Sequence, residues 1–315
     1  MKDQHKSILV IGGAGFIGSH TVDLLLQEGH RVRVLDNFSS GRKENLPWEH
    51  PHLEIVSGDL EDGVLLERAF DQAQAVLHLA AQVSVQRSLE DPLGSCRQNI
   101  LNFVRVLEQA RRHGTRVVYA SSAAVYGDPE VLPVDEQAPV RPVSPYGLEK
   151  YSNELYAELY GRIHGLSHLG LRYFNVYGPR QDPGSPYSGV ISRFVDQIRK
   201  GQALTVRGDG LQERDFIHVA DVARANLAAL FASLCGVVNI AGGQVTTVRR
   251  LAELIIELHG GKGSIEGVPP LPGDIRHSQA DIGRMQQFLI APGIPLDQGL
   301  QDLLDGGMSR ARSVG

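Results

Sequence analysis

A glycine-rich turn near the start of the chain constrains the fold more than any other stretch of the sequence. Residues 7–11 form a short apolar run without helical periodicity, and Gly-Gly-Ala-Gly-Phe-Ile-Gly follows at residues 12–18. A further apolar stretch, interpreted as a helix, ends at Gly29. In the order strand, turn, helix, such glycines permit a tight turn and let backbone amides approach a pyrophosphate. The sequence therefore predicts a dinucleotide-binding unit here.

An acidic residue after the next apolar run indicates which dinucleotide binds. Residues 31–35 read as a second strand, and Asp36 follows it. A carboxylate at this place can accept hydrogen bonds from an adenosine ribose, and it would repel a 2′-phosphate. The sequence therefore favours NAD over NADP, although the nearby Arg42 leaves NADP open.

The rest of the first half continues to alternate between strands and helices. Strand-like runs at residues 53–56, 75–79, 116–120 and 167–175 are separated by helical segments at 64–70, 93–113 and 146–164. This alternation predicts an α/β fold, a Rossmann doubly wound parallel sheet, with a smaller, discontinuous α/β substrate-binding cap. We expect residues 1–177 to form the NAD-binding domain, with a returning strand and helix from 211–245, and residues 178–210 and 246–315 to form the cap.

Composition excludes several other classes of protein. The net charge of -5 argues against a nucleic-acid-binding surface. No apolar run reaches the length that crosses a bilayer, and the polar residues 1–7 are too short for a signal peptide. Cys96 and Cys235 belong to no CxxC or His/Cys cluster, which predicts reduced thiols and no metal site. We expect a cytoplasmic protein without nucleic-acid or membrane partners.

Three side chains are candidates for chemistry at one edge of this sheet. Tyr146 precedes Lys150 by one helical turn, and a cation that close favours the phenolate and lowers a pKa that begins near about 10. Such a pair alone is a weak signal, because amphipathic helices contain many. Ser121 and Ser122, however, follow the strand at 116–120, at the edge where the glycine turn lies. Together they can oxidise a secondary alcohol, with the phenolate taking the proton and NAD the hydride.

With these motifs the chain resembles the extended short-chain dehydrogenase/reductase family, and specifically the nucleotide-sugar 4-epimerases that act on UDP-glucose or UDP-N-acetylglucosamine. The likeness runs from Ile8 to about Leu304. It implies that Tyr146 is the base, Lys150 its electrostatic partner, and Ser122 the hydroxyl on the sugar side, with Ser121 beside it.

The resemblance also implies two sets of binding residues. The cofactor would contact Gly12, Gly15, Phe16, Ile17, Asp36, Asn37, Ser39, Asp59, Leu60, Leu79, Ala80, Ala81, Asn99, Tyr146 and Lys150. The UDP-sugar would contact Ser84, Ser122, Tyr146, Asn175, Val190, Leu204, Val206, Arg214, Arg276 and Ser278, with Leu204 and Val206 at the uracil and Arg214 at the diphosphate. Two positions depart from the pattern. Leu271 stands where many relatives have a second phosphate-binding arginine, which makes Arg276 its candidate replacement, and Val83 replaces a ribose-binding lysine.

The implied reaction is a 4-epimerisation through a transient 4-keto sugar, with tightly bound NAD that takes up a hydride and returns it to the opposite face. Sugar 4,6-dehydratases of the family carry an Asp-Glu pair after the active-site hydroxyl residue, whereas Ala123 and Ala124 stand here. Another nucleotide-sugar dehydratase or dehydrogenase and a catalytically silent NAD-binding regulator remain as alternatives.

Ser278 carries the prediction of substrate. Relatives restricted to glucose and galactose have a tyrosine at the matching position, three residues before Asp281, and a serine leaves room for an N-acetyl group. We therefore expect interconversion of UDP-GlcNAc and UDP-GalNAc, with UDP-Glc and UDP-Gal as further candidates and polysaccharide biosynthesis as the pathway. A UDP-glucose 4-epimerase is the alternative. Relatives pair through a four-helix interface, which predicts a homodimer through the helices at 93–113 and 146–164.

Overall fold

Twelve strands and eleven helices are present in the computed structural model, which describes residues 6–182, 184, 189–270 and 276–306. The strands are β1 (Ser7–Ile11), β2 (Arg31–Asp36), β3 (Leu53–Ser57), β4 (Ala75–His78), β5 (Arg116–Ser122), β6 (His168–Tyr173), β7 (Asn175–Tyr177), β8 (Leu204–Arg207), β9 (Glu213–His218), β10 (Gly236–Ile240), β11 (Val245–Thr247) and β12 (Ile265–Val268). The helices are α1 (Phe16–Gln27), α2 (Gly63–Phe70), α3 (Val85–Glu90), α4 (Pro92–Cys96), α5 (Asn102–His113), α6 (Pro145–His164), α7 (Val190–Arg199), α8 (Val219–Phe231), α9 (Val248–Leu258), α10 (Gly283–Phe288) and α11 (Leu296–Leu304). A π-helical turn (Arg97–Leu101) joins α4 to α5, and short 3-10 turns lie at Lys43–Asn45 and Ala123–Val125.

A seven-stranded sheet in the order β3-β2-β1-β4-β5-β6-β10 forms the centre of the fold. Every neighbouring pair in it is parallel. The order reverses between β1 and β4, which is the switch point where open parallel sheets bind ligands. The predicted Rossmann sheet is confirmed. At one edge of it, β10 pairs with β6.

Both faces of this sheet are buried, which explains why its strands are apolar at consecutive positions. In β1, Ile8 and Val10 belong to the hydrophobic cluster that includes α1 and α8. Leu9 and Ile11 point the other way, into the cluster that includes α2, α5 and α6. Because side chains alternate along a strand, a sheet covered on both faces needs a continuous apolar run rather than an alternating one.

Helix α6 begins where its sequence predicts. The Ser144 hydroxyl accepts a hydrogen bond from the N–H of Gly147 (3.1 Å), and Pro145 occupies the first turn, where a missing N–H costs nothing. The helix ends at Gly165, whose φ of 66° is the left-handed conformation that glycine adopts readily. Tyr146 is therefore held in the first turn of the helix, at the carboxyl edge of the sheet.

A smaller layer contains a three-stranded sheet, β11-β9-β7, and a two-stranded sheet, β12-β8. Helices α7, α9 and α11 cover a separate hydrophobic cluster around Phe194, Leu204 and Leu251. The single strand predicted at 167–175 is wrong, because β6 and β7 are separated at Phe174 and lie in different sheets. Helix α3 and strands β9 and β12 are further elements without a sequence-based prediction.

Two features are absent from the residues that the structure describes. No helix there combines the length and the hydrophobicity required to cross a membrane. No cluster of His, Cys, Asp and Glu side chains in the same residues could hold a metal ion.

Candidate active site

The glycine turn lies at the switch point of the sheet. Gly12 has a φ of 82°, and a Cβ added there would lie 2.7 Å from the backbone nitrogen of Ala80, at the end of β4. At Gly18 a Cβ would lie 2.2 Å from the carbonyl oxygen of Gly12, so α1 touches the turn directly. Gly15 precedes the first turn of α1, which has no side-chain cap. The helix N terminus thus offers backbone N–H groups and a partial positive charge to a phosphate.

Around this turn, the residues expected at the adenosine end surround the end of β2. Asp36 is buried, and its carboxylate accepts hydrogen bonds from the backbone N–H groups of Ala14 (2.9 Å) and Phe38 (2.8 Å). Asn37 donates to Asp59 (2.8 Å) and accepts from the N–H of Ser39 (3.0 Å). Asp36 therefore has a structural role, holding the glycine turn, besides the ribose contact that is expected of it.

Tyr146, Lys150 and Ser122 lie together at the carboxyl edge. The backbone N–H of Tyr146 donates to the Ser88 hydroxyl (3.2 Å). Lys150 is 4% exposed, and its Nζ donates to the carbonyl of Ala120 (3.1 Å) and lies 5.8 Å from the centre of the Tyr146 ring. The Ser122 hydroxyl lies close enough to the phenol to favour its ionised form. A hydroxyl, a phenol and an ammonium group at one place can move a proton and hold an alcohol oxygen.

The predicted direction of the Tyr146 pKa is wrong. Burial raises the pKa of the phenol to about 12, and the charge of Glu149 raises it further, although the nearby Ser122 hydroxyl acts to lower it. Burial also lowers the pKa of Lys150 to about 8. The cost of removing the phenolate from water therefore sets the direction of the Tyr146 shift. Lys150 is still mostly protonated at neutral pH.

Ser121 has partners other than the phenol. Its hydroxyl donates to Glu154 Oε1 (2.5 Å), and Glu154 forms two hydrogen bonds with the guanidinium of Arg172 (2.9 and 2.7 Å). All three side chains are buried. The Ser121 proton is therefore engaged in a buried ion-pair network, and these contacts do not support the catalytic role predicted for it.

Asn99, expected to contact the cofactor, is bound to the protein itself. Its Oδ1 accepts from the N–H of Gln82 (2.8 Å), and its Nδ2 donates to the Gln82 carbonyl (2.8 Å) and to Glu149 Oε2 (2.6 Å). The amide thereby connects the segment after β4, which contains Ala80 and Ala81, to helix α6. Sequence reasoning missed Glu149, whose signal is a carboxylate three residues after Tyr146, on the same side of the helix.

Next to the sheet edge, a cavity of about 230 Å³ lies in the smaller layer. Asn175, Val190 and Arg214, all expected to bind the UDP-sugar, line it. Arg193 and Arg207 line it as well, and no sequence motif singled them out. Three guanidinium groups around one cavity favour an anionic ligand, because guanidinium binds phosphate through charge-assisted, bidentate hydrogen bonds.

Leu204 and Val206 were expected to meet the uracil, but their side chains point away from this cavity. They are 0% and 2% exposed and belong to the hydrophobic cluster under α7 and α9. Their neighbours Thr205 and Arg207 line the cavity instead, because successive side chains of a strand point to opposite faces. Leu204 and Val206 can therefore contact a ligand in the cavity only through their main-chain atoms.

Arg276 and Ser84, two other expected substrate contacts, have structural partners. The guanidinium of Arg276 forms two hydrogen bonds with Asp209 (3.0 and 2.9 Å), and Arg276 does not line the cavity. Ser84 is buried and caps α3 by accepting from the N–H of Arg87 (2.9 Å). Leu271, the position that made Arg276 a candidate, lies outside the described residues.

Ser278 lies in a segment that the buried carboxylate of Asp215 holds in place. Oδ1 of Asp215 accepts from the N–H groups of Gly242 (2.8 Å) and Gly243 (3.0 Å), and Oδ2 accepts from the N–H of Ala280 (3.2 Å). Asp215 belongs to β9, a strand that lines the cavity. The segment with Ser278 is therefore fixed to the same strand as the predicted diphosphate arginine.

The sequence of this chain matches a known protein family. The model of the NAD dependent epimerase/dehydratase family matches residues 8–241. The chain belongs to this family. A putative UDP-glucose 4-epimerase from Methanocaldococcus jannaschii is 42% identical over 301 residues, which cover 95% of this chain and 97% of that protein.

Two solved structures of the family show the same fold. The UDP-N-acetylglucosamine 4-epimerase from Methanobrevibacter ruminantium, in complex with UDP-N-acetylmuramic acid, has a TM-score of 0.93 and 38% identity, with 97% and 98% of the two chains covered. The UDP-glucose 4-epimerase from Thermus thermophilus, in complex with NAD, has a TM-score of 0.88 and 37% identity, with 96% and 100% covered.

NAD is the cofactor of this family, and the residues of this chain fit it. The uncapped start of α1 offers N–H groups to a pyrophosphate, and the close approach at Gly12 leaves the turn free of side chains. Asp36 ends β2 at the ribose position. Held by these residues, NAD would supply a hydride acceptor at the edge where Tyr146 and Lys150 lie.

Proposed function

We propose that this protein is a UDP-sugar 4-epimerase. The observation that carries the proposal is the grouping of Tyr146, Lys150 and Ser122 at the sheet edge next to the nucleotide turn, with an arginine-lined cavity in the adjoining layer. This chain matches the relatives from M. jannaschii and M. ruminantium over nearly its whole length. Both relatives are described as 4-epimerases of UDP-sugars, the first of them as a putative one.

In the proposed reaction, Tyr146 takes the proton of the sugar C4 hydroxyl and later returns it. A phenol with a pKa of about 12 needs a positive charge close by to act as a base at neutral pH. Lys150, with a pKa of about 8, supplies one such charge. Ser122 holds the phenol and the sugar oxygen through its hydroxyl. Arg214 keeps the diphosphate bound while the 4-keto sugar turns its other face to the cofactor.

Elimination of water is the competing chemistry on this fold. It requires an acid and a base next to the sugar, and the residues directly after Ser122 are Ala123 and Ala124. Their methyl groups cannot transfer a proton, and the N–H of Ala124 donates to the Ser122 hydroxyl (3.2 Å). The residues after Ser122 therefore favour epimerisation over dehydration.

We further propose UDP-GlcNAc and UDP-GalNAc as the preferred pair of sugars. Ser278 is small, and Asp215 holds its segment against the strand that lines the cavity. The M. ruminantium relative is a UDP-N-acetylglucosamine 4-epimerase, whereas other relatives are UDP-glucose 4-epimerases. Ser278→Tyr would fill the space beside the C2 substituent. We expect this variant to lose turnover of the N-acetylated sugars and to keep turnover of UDP-glucose, and equal turnover of both in the variant would contradict the substrate proposal.

The decisive experiment is incubation of the purified protein with UDP-GlcNAc and, separately, UDP-glucose, followed by proton NMR of the sugar ring. We expect the C4 epimer to accumulate to an equilibrium mixture, without loss of bound NAD. Absence of any epimer from either sugar would instead favour a silent NAD-binding protein. Appearance of a 6-deoxy-4-keto sugar would indicate a dehydratase.

We also propose a homodimer that buries one face of α4, of the π-helical turn that follows it, and of α6. Leu93, Leu101, Leu148, Leu155 and Ile163 are 84%, 45%, 55%, 48% and 62% exposed. Large apolar side chains at helical spacing on neighbouring helices form a continuous hydrophobic surface, which in soluble proteins usually marks an interface.

A further inference from the structure

A buried carboxylate next to the proposed catalytic pair has no part in the reaction described above. Glu149 lies between Tyr146 and Lys150 on α6 and is 4% exposed. Its Oε2 accepts hydrogen bonds from Asn99 Nδ2 (2.6 Å) and from the Ser95 hydroxyl (2.9 Å). A charge this deep is retained only where hydrogen bonds and neighbouring cations compensate for the loss of water.

The hydrogen bonds of Glu149 extend to the rim of the crevice. Asn99 is bound through Oδ1 and Nδ2 to the main chain of Gln82, and Gln82 in turn contacts Ser84 and Ser95. This segment directly follows Ala80, at the switch point of the sheet. Glu149 therefore connects the helix of Tyr146 and Lys150 to the wall on which the nicotinamide end of the cofactor would rest.

The charge of Glu149 acts on the same two side chains. It raises the pKa of Lys150, against the lowering effect of burial, and it also raises the pKa of Tyr146. The other ionisable groups nearby are His78 at the end of β4, a neutral side chain whose pKa burial lowers to about 3, and the Glu154–Arg172 pair on the far side of Ser121. That pair compensates its own charge, whereas Glu149 forms no ion pair within 4 Å among the described residues and is the carboxylate whose charge acts on Lys150.

We propose that Glu149 is a positioning residue of the hydride-transfer site, which holds the segment after β4 through Asn99 and provides the counter-charge for Lys150. The catalytic part of this role rests on the proposed function. The effect of the Glu149 charge on Lys150 does not depend on which substrate the protein binds. Neutralising Glu149 should therefore make Lys150 lose its proton at lower pH.

The test is a pH titration of Lys150 in protein labelled with 13C at the lysine ε-carbons, with Lys150→Met to assign the signal. We expect a midpoint near 8 in the unaltered protein and a midpoint lower by about one pH unit in Glu149→Gln. The matched control is Glu158→Gln, an exposed carboxylate on the same helix, which should leave the midpoint unchanged. Glu149→Asp keeps the charge and should restore the midpoint.

A second readout is the pH profile of kcat with saturating NAD. Both limbs should move to lower pH in Glu149→Gln, whereas a purely structural role would reduce kcat at every pH without moving the limbs. Glu149→Ser is a second neutral variant, for use if Glu149→Gln does not fold, and the same lower midpoint is expected. An unchanged or higher Lys150 midpoint in a folded neutral variant would overturn the proposal, while a shifted midpoint in a protein without epimerase activity would contradict only the proposed function.

Discussion

Replacing Asp215 tests how the segment with Ser278 is held. The side chain is 0% exposed, and three backbone N–H groups donate to it, from Gly242, Gly243 and Ala280. In Asp215→Ala these three donors lose their partner, at about 1–3 kcal/mol each. The buried charge itself is unfavourable, because burial raises the pKa of Asp215 from its ordinary value of 3.8 to about 6.

The difference in pKa gives the size of that opposing effect. A group whose pKa is higher in the folded state stabilises the fold below its unfolded pKa and loses this contribution as the pH rises through its folded pKa. For Asp215 the loss is about 3 kcal/mol, most of it between pH 4 and pH 7. We therefore expect Asp215→Ala to lower the free energy of unfolding by about 3 kcal/mol at pH 8, and by more at pH 4.

Urea unfolding followed by circular dichroism at pH 4, 6 and 8 measures both effects. Asp215→Asn is the matched control, since its amide oxygen can still accept from Gly242 and Gly243 but its side chain has no charge to titrate. At pH 8 this variant should lose less stability than Asp215→Ala. Its free energy of unfolding should also lack the decrease between pH 4 and pH 7 that the titration of Asp215 causes in the unaltered protein. If Asp215→Ala unfolds with the same free energy as the unaltered protein at all three pH values, the carboxylate does not hold the three segments together.

Three further predictions concern the site and the assembly. Tyr146→Phe should retain NAD, measured by absorbance after denaturation, and reduce kcat for epimerisation about 10²–10⁴-fold, because the proton acceptor is lost; near-normal activity would contradict the role of the phenol. Gly12→Ala should lose NAD, because its Cβ would lie 2.7 Å from a backbone nitrogen at a φ of 82°, whereas Gly63→Ala, with nothing within 4 Å, should retain it. Leu155→Glu should shift the protein to a monomer in light scattering, while Val64→Glu, an exposed side chain on α2, should not; a monomeric unaltered protein would contradict the proposed interface.

The central sheet was predictable because its strands are buried on both faces. Short continuous apolar runs such as residues 7–11 are typical of strands in a parallel sheet that is covered on both faces. A glycine turn follows this run and marks its end. Short elements of the smaller layer were not predictable in this way. Only Phe174 separates β6 from β7 in the sequence, and tertiary contacts place the two strands in different sheets.

Within the site, residue types and spacing predicted which side chains meet but not what each one binds. Tyr146, Lys150 and Ser122 are neighbours as expected, because strand ends and helix starts share one edge of the sheet. The partners of Asn99 and Ser121 depend on buried carboxylates, Glu149 and Glu154, that come from a different segment of the chain. Pairings between distant segments are set by packing, which periodicity does not encode.

Strand β8 has a practical consequence for engineering the ligand preference of this protein. Its inward side chains, Leu204 and Val206, are part of the hydrophobic cluster of the smaller layer, so truncating either to alanine should cost about 2–5 kcal/mol and endanger folding. Thr205 and Arg207 line the cavity and belong to no such cluster. A library that varies only positions 205 and 207 should therefore explore nucleotide recognition with folded members throughout, which a library over the whole strand would not.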